Sequence, residues 1–311
     1  ILFSGILAAT ASARAELKVV TTIKPLHSLI SNVMDGVGEP GLIIDGSISP
    51  HSFTMKPSHA KMLEEADVIF WIGESIETSM EEPLDSIAKD AEVIEFMELD
   101  SIAKLKFREE SIFGDHDDHD DHDDHDDHDD HDDHDDHDDH DDHDDHDDHD
   151  DHDDHDDHDD HDDHAGHEGH NHGEFDAHIW LDPSNAKEMV HEIAHELGDL
   201  DPVNKEKYEA NAEATIKALD QLISDVGTDI NSDAKFVVFH DAYQYFEERF
   251  GVRAAGALTL NTDVLPGAKQ IADIQDVIKD KGIKCIFSEP QFNPKIITTI
   301  AEDMNIKTRC L

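Results

Sequence analysis

Histidine is the residue type in this chain with the clearest chemical potential, and most of the histidines lie in one block. Residues 115–164 repeat the tripeptide His-Asp-Asp, so a histidine returns at every third position, and three more histidines follow by residue 172. Of the 27 histidines in the chain, 20 lie in this block. Neutral imidazole is a good ligand for zinc, copper and nickel, and the neighbouring carboxylates attract cations. The block therefore predicts capture of divalent metal.

The same segment is strongly acidic. Residues 115–174, called here the His/Asp repeat, contain 33 Asp, two Glu and no Lys or Arg, within a chain of net charge −55. Such a composition cannot bury an apolar core, so we predict a disordered loop that binds metal weakly and at several places. A solvated acidic linker is the alternative, although a plain linker does not need a histidine at every third residue. Neither nucleic acid nor an anionic membrane surface is expected to bind so acidic a chain.

Three histidines outside the repeat stand where predicted strands end. His51 follows Ile48-Ser49-Pro50, His178 begins a short extended segment, and His240 follows a predicted strand at 236–239. Ligands of open α/β sheets bind just beyond the carboxyl ends of the strands. Three imidazoles meeting there would bind zinc and leave one position for water or a carboxylate. Spacing alone does not establish that they meet, and each histidine taken singly is more often an ordinary polar residue.

Alternating strands and helices in the rest of the chain predict an α/β fold. Short apolar runs predict strands at residues 18–23, 41–44, 68–73, 92–96, 236–239, 252–260 and 285–288. Helical periodicity and capping residues predict helices at 25–34, 58–66, 184–197, 201–232, 242–250, 266–281 and 294–304, with another from about Ile76. The helix at 201–232 would reach ~40 Å, which is long enough to connect two domains.

The beginning of the chain and its cysteines suggest the compartment. An apolar run followed by Ala13-Arg14-Ala15 predicts a secretory signal peptide over residues 1–15, truncated at its start. The expected location is the periplasm. We expect Cys285 and Cys310 to form one disulfide in that oxidising compartment, with two separate thiols as the alternative.

A competing metal motif lies in the predicted helix at 184–197. His191-Glu192-Ile193-Ala194-His195 matches H-E-x-x-H, the signature of zinc peptidases. The apolar residues of this helix, however, lie on a different side from the two histidines, which is typical of an amphipathic helix whose polar face meets solvent. We favour a solvent-facing helix over a peptidase.

Five segments together give the chain a family resemblance. They read VTTIKPLHSL at 20–29, SPHSFTMKPS at 49–58, DAHIWLDP at 176–183, FHDAYQYF at 239–246 and SEPQF at 288–292. With these segments the chain resembles the zinc-specific periplasmic substrate-binding proteins of ABC importers, the ZnuA-like branch of the cluster A-I metal-binding family. The resemblance runs from about residue 17 to residue 308 and is interrupted only by the repeat.

The resemblance implies two (β/α) lobes with parallel-type sheets, joined by one long rigid helix, with metal in the cleft between the lobes. It implies that His51, His178 and His240 bind Zn²⁺, which is the transported ligand and not a catalytic cofactor. An imidazole at position 240 favours zinc, because manganese prefers oxygen ligands; a receptor for manganese or another divalent metal is the alternative. The repeat would be an auxiliary, low-affinity zinc collector or sensor.

On this plan, residues 16–114 with 175–200 form the N-terminal lobe, 201–232 the linking helix, and 233–311 the C-terminal lobe. The receptor would be a monomer and no enzyme. It would receive zinc from a periplasmic zinc-donating chaperone and deliver it to a membrane permease with its ATPase. A second hypothesis is metal storage or sequestration, with the repeat as the main site.

Two details of the family pattern bear on the site. Family members continue past residues 307–308 into an Asp-containing loop and a final helix, whereas this chain ends at Leu311. We therefore expect water in place of a fourth protein ligand, and a second lobe that is shorter by one helix. His27 is expected to be structural and His59 to be a surface residue. Glu289 is expected to order the cleft through hydrogen bonds.

Overall fold

Two four-stranded parallel sheets form the framework of the protein. The computed structural model describes residues 16–113, 174–260 and 266–310. The first sheet has the order β2-β1-β3-β4 and the second has the order β6-β5-β7-β8, with every neighbouring pair parallel. The strands are β1 Val19–Thr21, β2 Gly41–Leu42, β3 Val68–Trp71, β4 Glu92–Glu95, β5 Phe236–His240, β6 Ala257–Thr259, β7 Cys285–Ser288 and β8 Lys307–Cys310. The two sheets thus repeat one topology, as predicted for two α/β lobes.

Within the described residues, eight α-helices pack around these sheets. They are α1 Lys24–Val33, α2 Pro57–Glu64, α3 Glu81–Ile87, α4 Pro183–Leu200, α5 Lys205–Asp229, α6 Gln244–Phe250, α7 Ala268–Lys281 and α8 Pro294–Met304. Local sequence explains several of their ends. Asp182 caps α4 by accepting a hydrogen bond from the backbone N–H of Ser184 at 2.8 Å, and Pro183 fills the first helical position. Gly251 and Gly282 end α6 and α7 in the left-handed conformation that glycine adopts without strain.

Each lobe has its own apolar core. All four residues of β3 are buried, because helices cover both faces of the first sheet. Ile30 of α1, Leu63 of α2 and Val190 of α4 complete this core. In the second lobe, Val237 and Ile286 from the strands pack against Ile274 from α7. The sheets and their flanking helices fix the strand ends from which the functional loops extend.

The long helix α5 spans 25 residues, or about 37 Å at 1.5 Å per residue. It packs along α4 and α1 of the first lobe before the chain enters β5. Tyr208 is fully buried there, and the Asn211 amide donates to the carbonyl oxygens of Val33 and Asp35. The helix begins at Lys205 instead of the predicted residue 201, because residues 201–204 form a separate turn in which Asp201 accepts from Asn204.

Several other predicted boundaries need correction. The predicted strands at 41–44 and 252–260 are shorter, at Gly41–Leu42 and Ala257–Thr259. The helix predicted from Ile76 begins at Glu81. His178 does not begin an extended segment: it precedes a single 3-10 turn, Ile179–Leu181. The strand β8 was not predicted, because its sequence Lys-Thr-Arg-Cys lacks an apolar run.

The end of the predicted N-terminal segment contacts both lobes. Lys106 pairs with Phe175 in the first lobe, whereas Ile112 pairs with Gly256 in the second. Phe113 packs among the apolar side chains of β5 and β6. The boundary predicted at residue 114 therefore follows a stretch that already belongs to the second lobe.

Two sequence predictions concern residues outside this description. The signal peptide at 1–15 and the His/Asp repeat, apart from Glu174, lie outside the described residues. The pairing of Cys285 with Cys310 stays a prediction. The backbone register places Cys310 opposite Ser288, three residues beyond Cys285, and does not favour the bridge. Among the described helices, none has the length and apolar character needed to cross a membrane.

Candidate metal site between the two lobes

His51, His178 and His240, called here the cleft triad, meet between the lobes. Each offers a ring nitrogen, and these nitrogens all lie within 4.8 Å of one another. The ring centroids of His51 and His178 are 5.5 Å apart, those of His51 and His240 5.2 Å, and those of His178 and His240 4.9 Å. Within the described residues, this is the one group of three or more His, Cys, Asp or Glu with such geometry. The arrangement can hold one metal ion.

Each member of the triad comes from a different structural element. His51 lies in the 3-10 turn Pro50–Ser52, which follows β2 and is anchored by the buried Phe53. His178 precedes the turn Ile179–Leu181, whose first residue is completely buried in the first lobe. His240 is the last residue of β5 and pairs with Thr259 of β6. The first lobe therefore contributes two imidazoles and the second lobe one.

Asp176 fixes the orientation of His178. Its Oδ1 atom lies 2.6 Å from Nδ1 of His178 and also accepts the backbone N–H of His178 at 3.0 Å. Both side chains are almost fully buried. A carboxylate beside Nδ1 keeps the proton on that nitrogen and leaves Nε2 free as a metal ligand. The spacing Asp-x-His was the sequence signal for this pair, and it was not recognised as one.

Burial keeps the other two imidazoles neutral. The pKa of His51 falls to about 4, first because burial disfavours the charged ring and second because His178 lies beside it. Burial also lowers the pKa of His240 well below its usual value, with His178 and His51 adding to the effect. Only neutral imidazole has a lone pair for a metal. Both rings can therefore bind a cation at neutral pH without first losing a proton.

Comparisons with known proteins identify the family of this chain. The family model described as "Zinc-uptake complex component A periplasmic", ZnuA, matches residues 19–311. The chain belongs to the ZnuA family. The High-affinity zinc uptake system protein ZnuA of Brucella abortus (strain 2308) is 47% identical over 295 residues, covering 94% of this chain and 82% of the relative. Its counterpart in Haemophilus influenzae is 39% identical over 307 residues, covering 97% of this chain and 87% of the relative.

Solved structures share the two-lobed fold of this ZnuA-family chain. A crystal structure of ZnuA has a TM-score of 0.67 at 19% identity, covering 95% of this chain and 91% of that one. The crystal structure of a 138-173 ZnuA deletion mutant with zinc bound also has a TM-score of 0.67, at 21% identity, covering 95% and 90%. A manganese-bound periplasmic metal-binding protein from candidatus liberibacter asiaticus gives 0.65 at 17% identity, covering 94% and 87%. At these identities the likeness shows the fold.

Glu289 lies next to the triad on the second lobe. The hydroxyl of Tyr243 donates to its Oε1 atom at 2.7 Å, and Nδ1 of His240 lies 3.8 Å from the same oxygen. Burial raises the pKa of this carboxyl, while the Tyr243 hydrogen bond lowers it. Glu289 therefore supports the His240 side of the cleft through the hydrogen bonding expected from the sequence.

Two arginines make ion pairs between distant parts of the chain. Arg108 donates to Asp241 at 2.8 Å and to Glu247 at 2.5 Å, and its guanidinium lies 4.1 Å from the ring centre of Phe113. Arg249 donates through two nitrogens to the two carboxylate oxygens of Asp182, both at 2.7 Å. Sequence reasoning missed both arginines, because each meets a carboxylate that is 67 or more residues away.

The remaining histidines have local roles. Nε2 of His27 lies 3.1 Å from the carbonyl of Pro40, and Nδ1 of His59 accepts the backbone N–H of Lys56 at 3.2 Å. His191 and His195 are exposed on α4, whereas Ile193, Ala194 and Leu197 of the same helix are buried. The prediction of a solvent-facing amphipathic helix is therefore confirmed.

Proposed function

We propose that this protein is a periplasmic receptor that binds one Zn²⁺ through His51, His178 and His240 and delivers it to an ABC-type permease. The observation that supports this most strongly is the meeting of three imidazoles from both lobes, with their ring nitrogens within 4.8 Å of one another. Membership of the ZnuA family places the chain in periplasmic zinc uptake.

The ligand types favour zinc. Three imidazole nitrogens suit Zn²⁺ better than Mn²⁺, which prefers oxygen. Zinc in a site with three protein ligands takes water in its fourth position. The buried carboxylates of Asp176 and Glu289 lie beside the triad and offset the charge of the ion. Capture consists of ligand exchange around the cation, so no covalent bond of a substrate has to break.

The division of ligands between the lobes provides a route to release. His51 and His178 belong to the first lobe and His240 belongs to the second. Separation of the lobes withdraws His240 and leaves the ion with two protein ligands. Docking on a permease that favours separated lobes would therefore lower zinc affinity at the point of transfer.

The remaining parts of the chain complete the proposal. Residues 1–15 act as the signal peptide, 16–114 and 175–200 as the first lobe except for Ile112 and Phe113, which pack on the second, 201–232 as the linking segment, and 233–311 as the second lobe. The receptor acts as a monomer, takes zinc from a periplasmic zinc-donating chaperone, and works with a membrane permease and its ATPase. The His/Asp repeat collects zinc at low affinity, because its 20 histidines and 33 aspartates attract the ion.

Titration calorimetry with zinc tests the receptor against the storage alternative. In a chain without the repeat, we expect one tight site, and His240→Ala should lower its affinity by about 1,000-fold or more because an imidazole that binds the ion directly is lost. His27→Ala is the matched control, since His27 bonds to Pro40 outside the cleft. An affinity that His240→Ala leaves unchanged would refute the receptor proposal and favour storage.

A second titration tests the collector role of the repeat. The full chain should bind several zinc ions weakly in addition to the tight one, and removal of the repeat should lower the number of weakly bound ions while leaving the tight site unchanged. If the number of bound ions is the same with and without the repeat, the collector role is wrong.

A further inference from the structure

Helices α4 and α5 carry a second set of metal-binding residue types that the proposed zinc receptor does not use. The two helices lie side by side and antiparallel. A row at four-residue spacing runs along α4 through Lys187, His191, His195 and Asp199, and a facing row runs along α5 through Lys205, Glu209, Glu213 and Asp220. These two rows are called here the α4–α5 seam.

Two ion pairs set the register of the seam. At one end, Nζ of Lys187 lies 2.8 Å from Asp220, and at the other end Nζ of Lys205 lies 2.9 Å from Asp199. A Cβ atom on Gly198 would lie 3.0 Å from Cγ of Lys205, which confirms how closely the helices approach there. Between these anchors, antiparallel counting places His195 opposite Glu209 and His191 opposite Glu213.

The four central side chains face one space. His191, His195, Glu209 and Glu213 all line a surface cavity of about 310 Å³. The buried Ala194 and Ala212 contribute to its apolar floor. All four side chains are exposed, so they can change rotamer without disturbing a packed core. Lys205 also lines the cavity, but its ammonium group is held by Asp199.

The residue types in this cavity form a donor set. Two histidines at positions i and i+4 of a helix can bind the same metal ion, because their side chains lie on one face. Helices in contact are about 8–10 Å apart, so long carboxylate side chains from α5 can complete the coordination. We propose that His191, His195, Glu209 and Glu213 together bind one divalent transition-metal ion, with zinc as a suitable probe, and so link α4 to α5.

This site should be weaker than the cleft triad. The triad nitrogens already lie within 4.8 Å of one another, and no other group among the described residues has that geometry. The seam ligands must first lose rotamer freedom, which costs free energy on binding. The seam should therefore fill at higher free zinc concentrations than the cleft.

Histidine footprinting on the full chain tests the seam directly. Diethyl pyrocarbonate modifies imidazoles that are not bound to metal, and tryptic peptides report the extent of modification. Residues 188–205 form one such peptide, which contains His191 and His195 and no other histidine, and residues 236–249 contain only His240. A chelator buffer holds the free zinc concentration constant, so zinc bound by the repeat does not change that concentration. We expect His191 and His195 to become protected together as free zinc rises.

A charge-matched pair of variants separates ligation from general attraction. Glu209→Gln/Glu213→Gln should raise the zinc concentration for half-protection of His191 and His195 by roughly tenfold or more. Glu206→Gln/Asp225→Asn removes the same charge from exposed positions of α5 outside the cavity and should change it less than twofold. Absent protection up to millimolar zinc would overturn the proposal. Protection of only one of the two histidines would also overturn it. The same zinc concentration for half-protection in the two double variants would overturn it as well. His240, which is 5% exposed, should stay largely unmodified throughout and serves as the buried reference.

Discussion

The cleft triad and the α4–α5 seam place the same residue type in opposite settings. The triad joins three histidines that are 62 or more positions apart in the sequence, and His178 and His240 are each only 5% exposed. The seam contains two histidines four residues apart, and His195 keeps 61% of its side-chain surface exposed. Local spacing produced the better-known motif, H-E-x-x-H, whereas the fold produced the tighter geometry. The difference teaches that burial and pre-positioning, more than motif spacing, distinguish a strong metal site.

The largest expected difference between the triad and the seam is the loss of zinc affinity when one histidine is replaced. His178→Ala removes a buried imidazole of the proposed site and should weaken zinc binding in a repeat-deleted chain by about 1,000-fold, or ~4 kcal/mol. His195→Ala, in the seam, should change the affinity of the tightest site less than twofold. Competition with a chromophoric zinc chelator measures both. Similar losses in the two variants would mean that the two regions do not differ as described.

The next largest difference should be the loss of stability when an ion pair is removed. Arg108 is 17% exposed and holds the buried Asp241 and Glu247. Arg108→Met leaves two carboxylates without their cation and should lower the free energy of unfolding by about 3 kcal/mol. Lys187→Met breaks the seam pair with Asp220, whose side chain is 58% exposed, and should cost less than about 1 kcal/mol. Urea unfolding of the metal-free proteins measures both values, and equal losses would contradict the distinction.

Much of the fold could be predicted because its signals are local. The apolar run of β3 and the helical periodicity of α4 each indicate an element without knowledge of its neighbours, although α4 is capped by Asp182 and not by the predicted Ser184. The polar strand β8 escaped prediction because its place at the sheet edge depends on pairing with β7. The single turn after His178 escaped for a similar reason, since its position depends on burial of Ile179 in the first lobe.

The residue types of the site could be predicted from the sequence, but the residues that orient and hold them could not. The spacing of His51, His178 and His240 did not show that they meet; their grouping was implied by the family resemblance. Asp176 stands two residues before His178, yet only the 2.6 Å contact reveals that it orients the ring. The contacts of Arg108 join parts of the chain more than 130 residues apart, which no local pattern can indicate.

Removal of the orienting carboxylate should have a smaller effect than removal of a ligand. Asp176→Asn keeps the size of the side chain but removes its charge, so the proton on Nδ1 of His178 is held less firmly. Zinc affinity of the cleft should fall by about 10- to 100-fold. Asp199→Asn is the matched control on the seam and should leave the cleft affinity unchanged. Affinity equal to that of the unaltered chain would mean that Asp176 does not orient His178.

The lowered pKa of His51 predicts a modest pH dependence of stability. The ring has a pKa of about 4 in the folded metal-free protein against 6.5 for an ordinary histidine, so below pH 6.5 the unfolded chain takes up a proton that the folded chain does not. Folding should therefore lose about 1–2 kcal/mol through this residue between pH 7 and pH 5. The His51→Gln variant should lose less stability than the unaltered protein between pH 7 and pH 5, because it lacks this imidazole. Urea unfolding in chelator checks it, and parallel pH profiles of the two proteins would contradict it.

Anomalous diffraction at the zinc edge tests the central claim most directly. Crystals of the repeat-deleted chain, loaded with one equivalent of zinc, should give one strong peak at about 2.0–2.1 Å from a ring nitrogen of each of His51, His178 and His240. A principal peak at the α4–α5 seam, or in the cleft with fewer than three of these imidazoles bound, would contradict the account.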